Sequence, residues 1–138
     1  MTILIRLKQV YIKQVYMVVA LVAVTFDKHV VERVALTGEV DLCGNVLDVG
    51  GIQEKITGAY RLGMDKFIMP QKSFDRLDRG SFSADLQSFI STKVIPVSNI
   101  LQALSHCFEG EWLMFGHICH DVIYVSILFC FYNYYCYN

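Results

Sequence analysis

Between Val34 and Pro70 the apolar and polar positions fall into a readable order. Val34 to Leu36 is a short apolar run, and Val40 and Leu42 then alternate with Asp41 and Cys43, the pattern of a half-buried strand with Cys43 packed at the sheet. Gly44-Asn45 is a two-residue turn signal, so Val46 to Val49 is expected to return as the second arm of a hairpin. Gly50-Gly51 permits an unusual backbone at the entry to a helix in which Ile52, Ile56 and Ala59 recur at helical spacing. Gly63 is placed to end that helix in the left-handed conformation, and Phe67-Ile68-Met69 is a short apolar strand stopped by Pro70. Residues 71 to 92 are polar and mixed, and predict a short amphipathic helix and loop whose charges form a solvated face. Val94 to Val97 is another strand, and Ser98 is the expected N-cap of a helix that buries Ile100, Leu101, Leu104 and Phe108.

One residue departs from this pattern. Lys55 lies three after Ile52 and four before Ala59, so it falls on the apolar stripe, whereas Gln53, Glu54, Thr57 and Arg61 can face water. A lysine held in apolar surroundings favours its neutral form and becomes a candidate base. Its place in the first helical turn works in the same direction, because the positive end of the helix dipole disfavours an ammonium. Periodicity alone also admits a lysine that extends past Ile52 into solvent.

Composition narrows the classes. A chain of 138 residues suits one domain, and 12 basic against 13 acidic residues leave no basic footprint for nucleic acid. Hydrophobic content is 54%, with the excess at the two ends. Five cysteines at irregular spacing argue against a disulfide framework and fit a soluble, reducing compartment. No Gly-x-x-x-x-Gly-Lys-Ser/Thr string occurs, so no nucleotide is expected to bind here. Cys107, His117, Cys119 and His120 match no zinc spacing, and no metal is expected. None of Ser73, Ser81, Ser83, Ser88 and Ser91 is framed by a glycine elbow. At the front, Arg6, Lys8 and Lys13 precede an apolar run from Val15 to Val24 that has the look of a signal peptide, although Leu21-Val22-Ala23 is a poor cleavage site. At the back, Val122 to Asn138 carries no charge, but it is short and ends in polar residues, which argues against a membrane anchor.

Thr37-Gly38-Glu39-Val40, Gly44-x-Val46-Leu47, Gly50-Gly51-Ile52-x-Glu54-Lys55, Ala59-x-Arg61-x-Gly63 and Ile95-Pro96-Val97-Ser98 together resemble the proteolytic domain of the Lon family of ATP-dependent proteases. The resemblance covers residues 17 to 108 and leaves 1–16 and 109–138 as divergent flanks. It implies a buried helix over Met17 to Thr25, a turn at Asp27-Lys28-His29, and an α+β fold with a mixed sheet and flanking helices, truncated on its N-terminal side. In that family a lysine and a serine nucleophile hydrolyse peptide bonds of unfolded or damaged proteins, in a homo-oligomeric ring driven by a separate ATPase domain. The resemblance therefore implies Lys55 as general base and Thr37 as a nearby hydroxyl that orients it, with ATP supplied outside this chain.

The nucleophile is the departure. The family's Pro-Ser-Ala-Gly loop falls on Tyr11-Ile12-Lys13-Gln14, and no serine precedes Ser73. With half of the dyad missing, the chain is expected to be inactive alone. The alternatives are a non-catalytic Lon-like module used for assembly in an ATP-driven machine and, more distantly, a small protein anchored in a membrane by Val122 to Asn138. The Phe, Ile, Tyr, Asn and Cys of the flanks have A/T-rich codons, which fits an origin in translated non-coding sequence.

Overall fold

The computed structural model describes residues 14–41 and 43–108. Helix α1 (Val15–Thr25) leads through a turn at Asp27 to strand β1 (Val34–Leu36). A hairpin of β2 (Glu39–Val40) and β3 (Val46–Leu47) comes next, followed by helix α2 (Ile52–Arg61) and strand β4 (Lys66–Pro70). The chain then makes the short helix α3 (Gln71–Asp75), a 3-10 turn at Arg79–Ser81, helix α4 (Ala84–Lys93), strand β5 (Val94–Val97) and helix α5 (Ile100–Cys107). Strands β1, β4 and β5 form one parallel sheet in that order, with Leu36 opposite Ile68 and Ile68 opposite Ile95. Antiparallel strands pair in the hairpin, where Glu39 faces Leu47 and Val40 faces Val46, and isolated antiparallel bridges join Val30 to Phe108 and Asn45 to Asn99. The fold is thus α+β, with parallel and antiparallel pairing carried by separate sheets.

Alternation along the parallel strands divides the core in two. Val34, Leu36, Ile68, Ile95 and Val97 face α1, α5 and the hairpin, while Ala35, Phe67, Met69 and Val94 face α2 and α4. Each central side chain that leaves water completely, such as Ile68 or Ile56, contributes roughly 1.5–3 kcal/mol of burial free energy.

Helix α2 ends as its glycine requires. Gly63 has φ +65°, its N–H bonds the Tyr60 carbonyl, and the Met64 N–H reaches back to Ala59, the paired bonds of a Schellman motif. The Arg33 guanidinium also donates to the Gly63 carbonyl and pairs with Asp65, which in turn takes Lys93 at 3.1 Å. The partners at that end of the sheet hold the Asp65 carboxyl below its ordinary range, the Lys93 hydrogen bond first and the charge of Arg33 after it.

Several local expectations are corrected. The hairpin loop runs from Asp41 to Asn45 instead of turning on Gly44-Asn45, because the Asp41 carboxylate accepts from the N–H groups of Cys43 and Asn45 and from the Asn45 amide. Cys43 sits exposed in that loop, not packed at the sheet. The polar stretch after Pro70 holds two helices, the second capped by Ser83. Asn99, not Ser98, caps α5: its side chain accepts from the Gln102 N–H, and the Gln102 side chain accepts from the Ser98 N–H, a reciprocal arrangement close to a capping box. Helix α5 buries Ala103 and Cys107 where Leu101 was expected. Phe108 is buried just beyond it, in an antiparallel bridge to Val30. His117, Cys119 and His120, like the whole uncharged tail, lie outside the described residues.

Candidate active site

In a parallel sheet the strand C-termini and the N-termini of the helices that follow share one end, where ligands of such folds gather. Thr37 directly follows β1 at that end; it is buried, and its N–H donates to the Ile68 carbonyl at 2.9 Å. Gly38 comes next with φ +142°. A Cβ there would stand 2.9 Å from Val46 and 3.0 Å from Val15, so only glycine lets the hairpin and α1 close on this point. The Gly38 carbonyl also accepts the Val15 N–H at 3.1 Å, which fixes the first turn of α1 beside Thr37. Tyr11, Ile12 and Lys13 lie outside the described residues; Gln14, the N-cap of α1, is exposed and its side chain makes no capping bond.

Lys55 occupies the first turn of α2, whose N-cap Gly51 takes the left-handed conformation with φ +66°. The expected burial of Lys55 is not found: the residue is exposed, and its side chain makes no hydrogen bond or ion pair among the described residues. The cause is the narrowness of the stripe. Ile56 and Ala59 are buried and Ile52 half-buried, but successive helical residues are about 100° apart, which turns Lys55 out beside Ile56. The extended, solvent-reaching alternative is the one observed. No hydrogen bond joins Lys55 to Thr37.

An open groove of about 690 Å³ runs beside the start of α2, between Asp48–Glu54 and Ser73–Asp78. The Arg76 guanidinium pairs with the Asp48 carboxylate, and the buried Ser73 hydroxyl lies 3.5 Å from the same carboxylate. Asp48, Glu54 and Asp78 against Arg76 give the groove an excess of negative charge. Neither Lys55 nor Thr37 lines it. The Asp48–Arg76 pair escaped the sequence reading because its members are 28 residues apart and no local pattern connects them. Ser73 has no glycine elbow to mark it, and its contact with Asp48, 25 residues away, carries the same lack of local signal. Among the described residues no group of His, Cys, Asp and Glu is arranged to hold a metal ion, and no helix is long and apolar enough to cross a membrane.

Comparison with known proteins agrees with the motif order. The model of the Lon protease (S16) C-terminal proteolytic domain matches residues 13–109. The Lon protease of Clostridium acetobutylicum is 46% identical over 59 residues, which is 43% of this chain and 8% of that protein. Lon protease homolog 2, peroxisomal, of Zea mays is 33% identical over 97 residues, 70% of this chain and 10% of its own length. The Lon protease of Rickettsia bellii is 42% identical over 78 residues, 56% of this chain and 10% of that protein. The chain thus spans about a tenth or less of the length of these curated relatives. With the family's proteolytic-domain model covering most of the chain, and the parallel sheet and helix starts arranged as described, this chain belongs to the Lon protease family and corresponds to part of its C-terminal proteolytic domain.

Proposed function

We propose that this chain is a segment of a Lon-type serine endopeptidase domain that keeps the base position of the dyad, Lys55, with Thr37 as its orienting hydroxyl, and lacks the nucleophile. The reading is supported above all by Lys55, which stands in the first turn of the helix that follows Gly50-Gly51. In a Ser–Lys pair the amine takes the hydroxyl proton as attack on the carbonyl begins. Ile12 stands where the family pattern has serine, and an isoleucine side chain has neither a proton to give nor a lone pair to attack with. In a complete enzyme the substrates are unfolded or damaged proteins, the assembly is a homo-oligomeric ring, and ATP is bound by a separate ATPase domain.

The test is hydrolysis of a fluorogenic peptide by the chain as it stands. No turnover is expected, in the native chain or in Lys55→Ala. Turnover that disappears in Lys55→Ala would overturn the inactive reading and require a nucleophile from elsewhere in the chain. A second reading, a non-catalytic assembly module, draws support from the absence of serine before Ser73 and from the solvent exposure of Lys55. It predicts stable oligomers in size-exclusion chromatography without hydrolysis.

A further inference from the structure

The groove beside the start of α2 already holds a guanidinium. Arg76 lays its side chain on the Asp48 carboxylate, although that side chain is itself 67% exposed and its Nε is spent on the Lys72 carbonyl of its own helix at 3.2 Å. Asp48 is built in more firmly than its partner. Its side chain is 36% exposed, and its other oxygen faces the buried Ser73 hydroxyl at 3.5 Å. The groove thus offers a supported carboxylate to a side chain that solvent can reach and lift away, since an exposed ion pair of this kind is held weakly.

We propose that this groove binds an arginine side chain of an extended peptide, with Arg76 as the resident competitor for the Asp48 carboxylate. Charge complementarity favours a cation. Asp78 and Glu54 line the same groove, and the Glu54 carboxylate curls back to 3.6 Å from where a Gly51 side chain would begin. Arg79, the other nearby guanidinium, is turned away onto the Phe74 ring at 4.8 Å. The walls suit a long stem: Val49, Ile52 and Leu77 are half-buried and apolar, and the methylenes of an arginine can lie along them. A peptide fits better than a free small cation. The groove is open, and Gly51 leaves the first N–H groups of α2 without a side-chain cap on the same wall, donors that match peptide carbonyls. A guanidinium also answers a carboxylate with two parallel hydrogen bonds, which an ammonium does not. Binding here uses neither Lys55 nor a nucleophile, so the inference stands or falls apart from the peptidase reading.

The test titrates the full chain, labelled with nitrogen-15, with the capped tripeptide acetyl-Gly-Arg-Gly-amide and follows the backbone amide shifts. Saturable shifts centred on residues 48–54 and 73–78 are expected. Acetyl-Gly-Gln-Gly-amide should give none, and agmatine, the same guanidinium without a peptide backbone, should bind more weakly. Arg76→Ala should tighten binding of the arginine peptide roughly two- to fivefold by removing the competitor. Asp48→Asn should weaken it about tenfold. Asp78→Asn, which leaves the Asp48–Arg76 pair in place, should weaken it about twofold, so a second acid tests the charge argument if the first variant does not fold. No saturable shift, shifts centred elsewhere or equal binding of the glutamine peptide would overturn the proposal. So would agmatine that binds as tightly as the peptide, or an Arg76→Ala protein with native amide dispersion that binds no tighter.

Discussion

The two faces of the parallel sheet solve the same problem in different ways. On one, α2 and α4 bury Ile56, Ala59, Phe89 and Ile90 and turn mostly polar residues outward, with Tyr60 and the C-cap Leu62 as exposed exceptions. Tyr60 adds an edge-on ring contact to Phe89, with centroids 5.6 Å apart. On the other, α1 buries four valines and turns apolar residues outward as well. A helix that is apolar all round belongs inside a larger structure. Lys55 is on the α2 face and Thr37 at the junction with the α1 face.

Truncating the core on each side should give the largest effects. Ile68→Ala removes the central side chain of the α1 face, and Ile56→Ala that of the α2 face; each should cost about 2–5 kcal/mol in urea denaturation. Amide exchange sharpens the comparison: Ile56→Ala should speed exchange mainly in α2 and α4 and leave α1 and α5 protected. Equal loss everywhere would mean that the two faces melt as one.

The next effect depends on pH and belongs to the α1 face alone. Burial pushes the Cys107 thiol up to about 11 from an ordinary 9.0, with the Lys66 charge pulling weakly the other way. The folded state then holds a proton that the unfolded chain releases, so stability is complete below pH 9 and falls as pH rises toward 11. The loss should reach about 2–3 kcal/mol. Cys107→Val should remove this component, and the difference between the two pH profiles isolates it from other titrating groups. A thiol reagent near neutral pH should modify Cys43 readily and leave Cys107 untouched.

Gly38→Ala should cost about 1–3 kcal/mol, because its backbone is left-handed and its neighbours are Val46 and Val15. Asn99→Ala should cost about 1 kcal/mol by uncapping α5. The smallest effect is expected at the position most closely tied to the family: Lys55→Ala should stay within about 0.5 kcal/mol of the native chain, as exposed helix positions do. A loss above 2 kcal/mol there would place the amine in the core after all.

Strand and helix order was legible wherever period and punctuation agreed. Gly63 after Arg61, the β-branched run at Val94 to Val97 and the Gly50-Gly51 entry all gave elements close to those observed. What failed was rotation about an axis and choice among neighbouring caps. Periodicity fixed Ile56 and Ala59 as buried, but it does not give the width of the stripe, and Lys55 lay just beyond its margin. Asn99 displaced Ser98 as a cap because Asn45 bridges Asn99 from the hairpin, a tertiary pairing that the local string does not contain. The groove pairing of Asp48 with Arg76 is of the same kind.

The bond from Val15 to the Gly38 carbonyl acts as a docking latch between the front of α1 and the end of β1. The first turn of α1 is thereby registered against Thr37, so that changes at the far end of the helix would leave this junction in place.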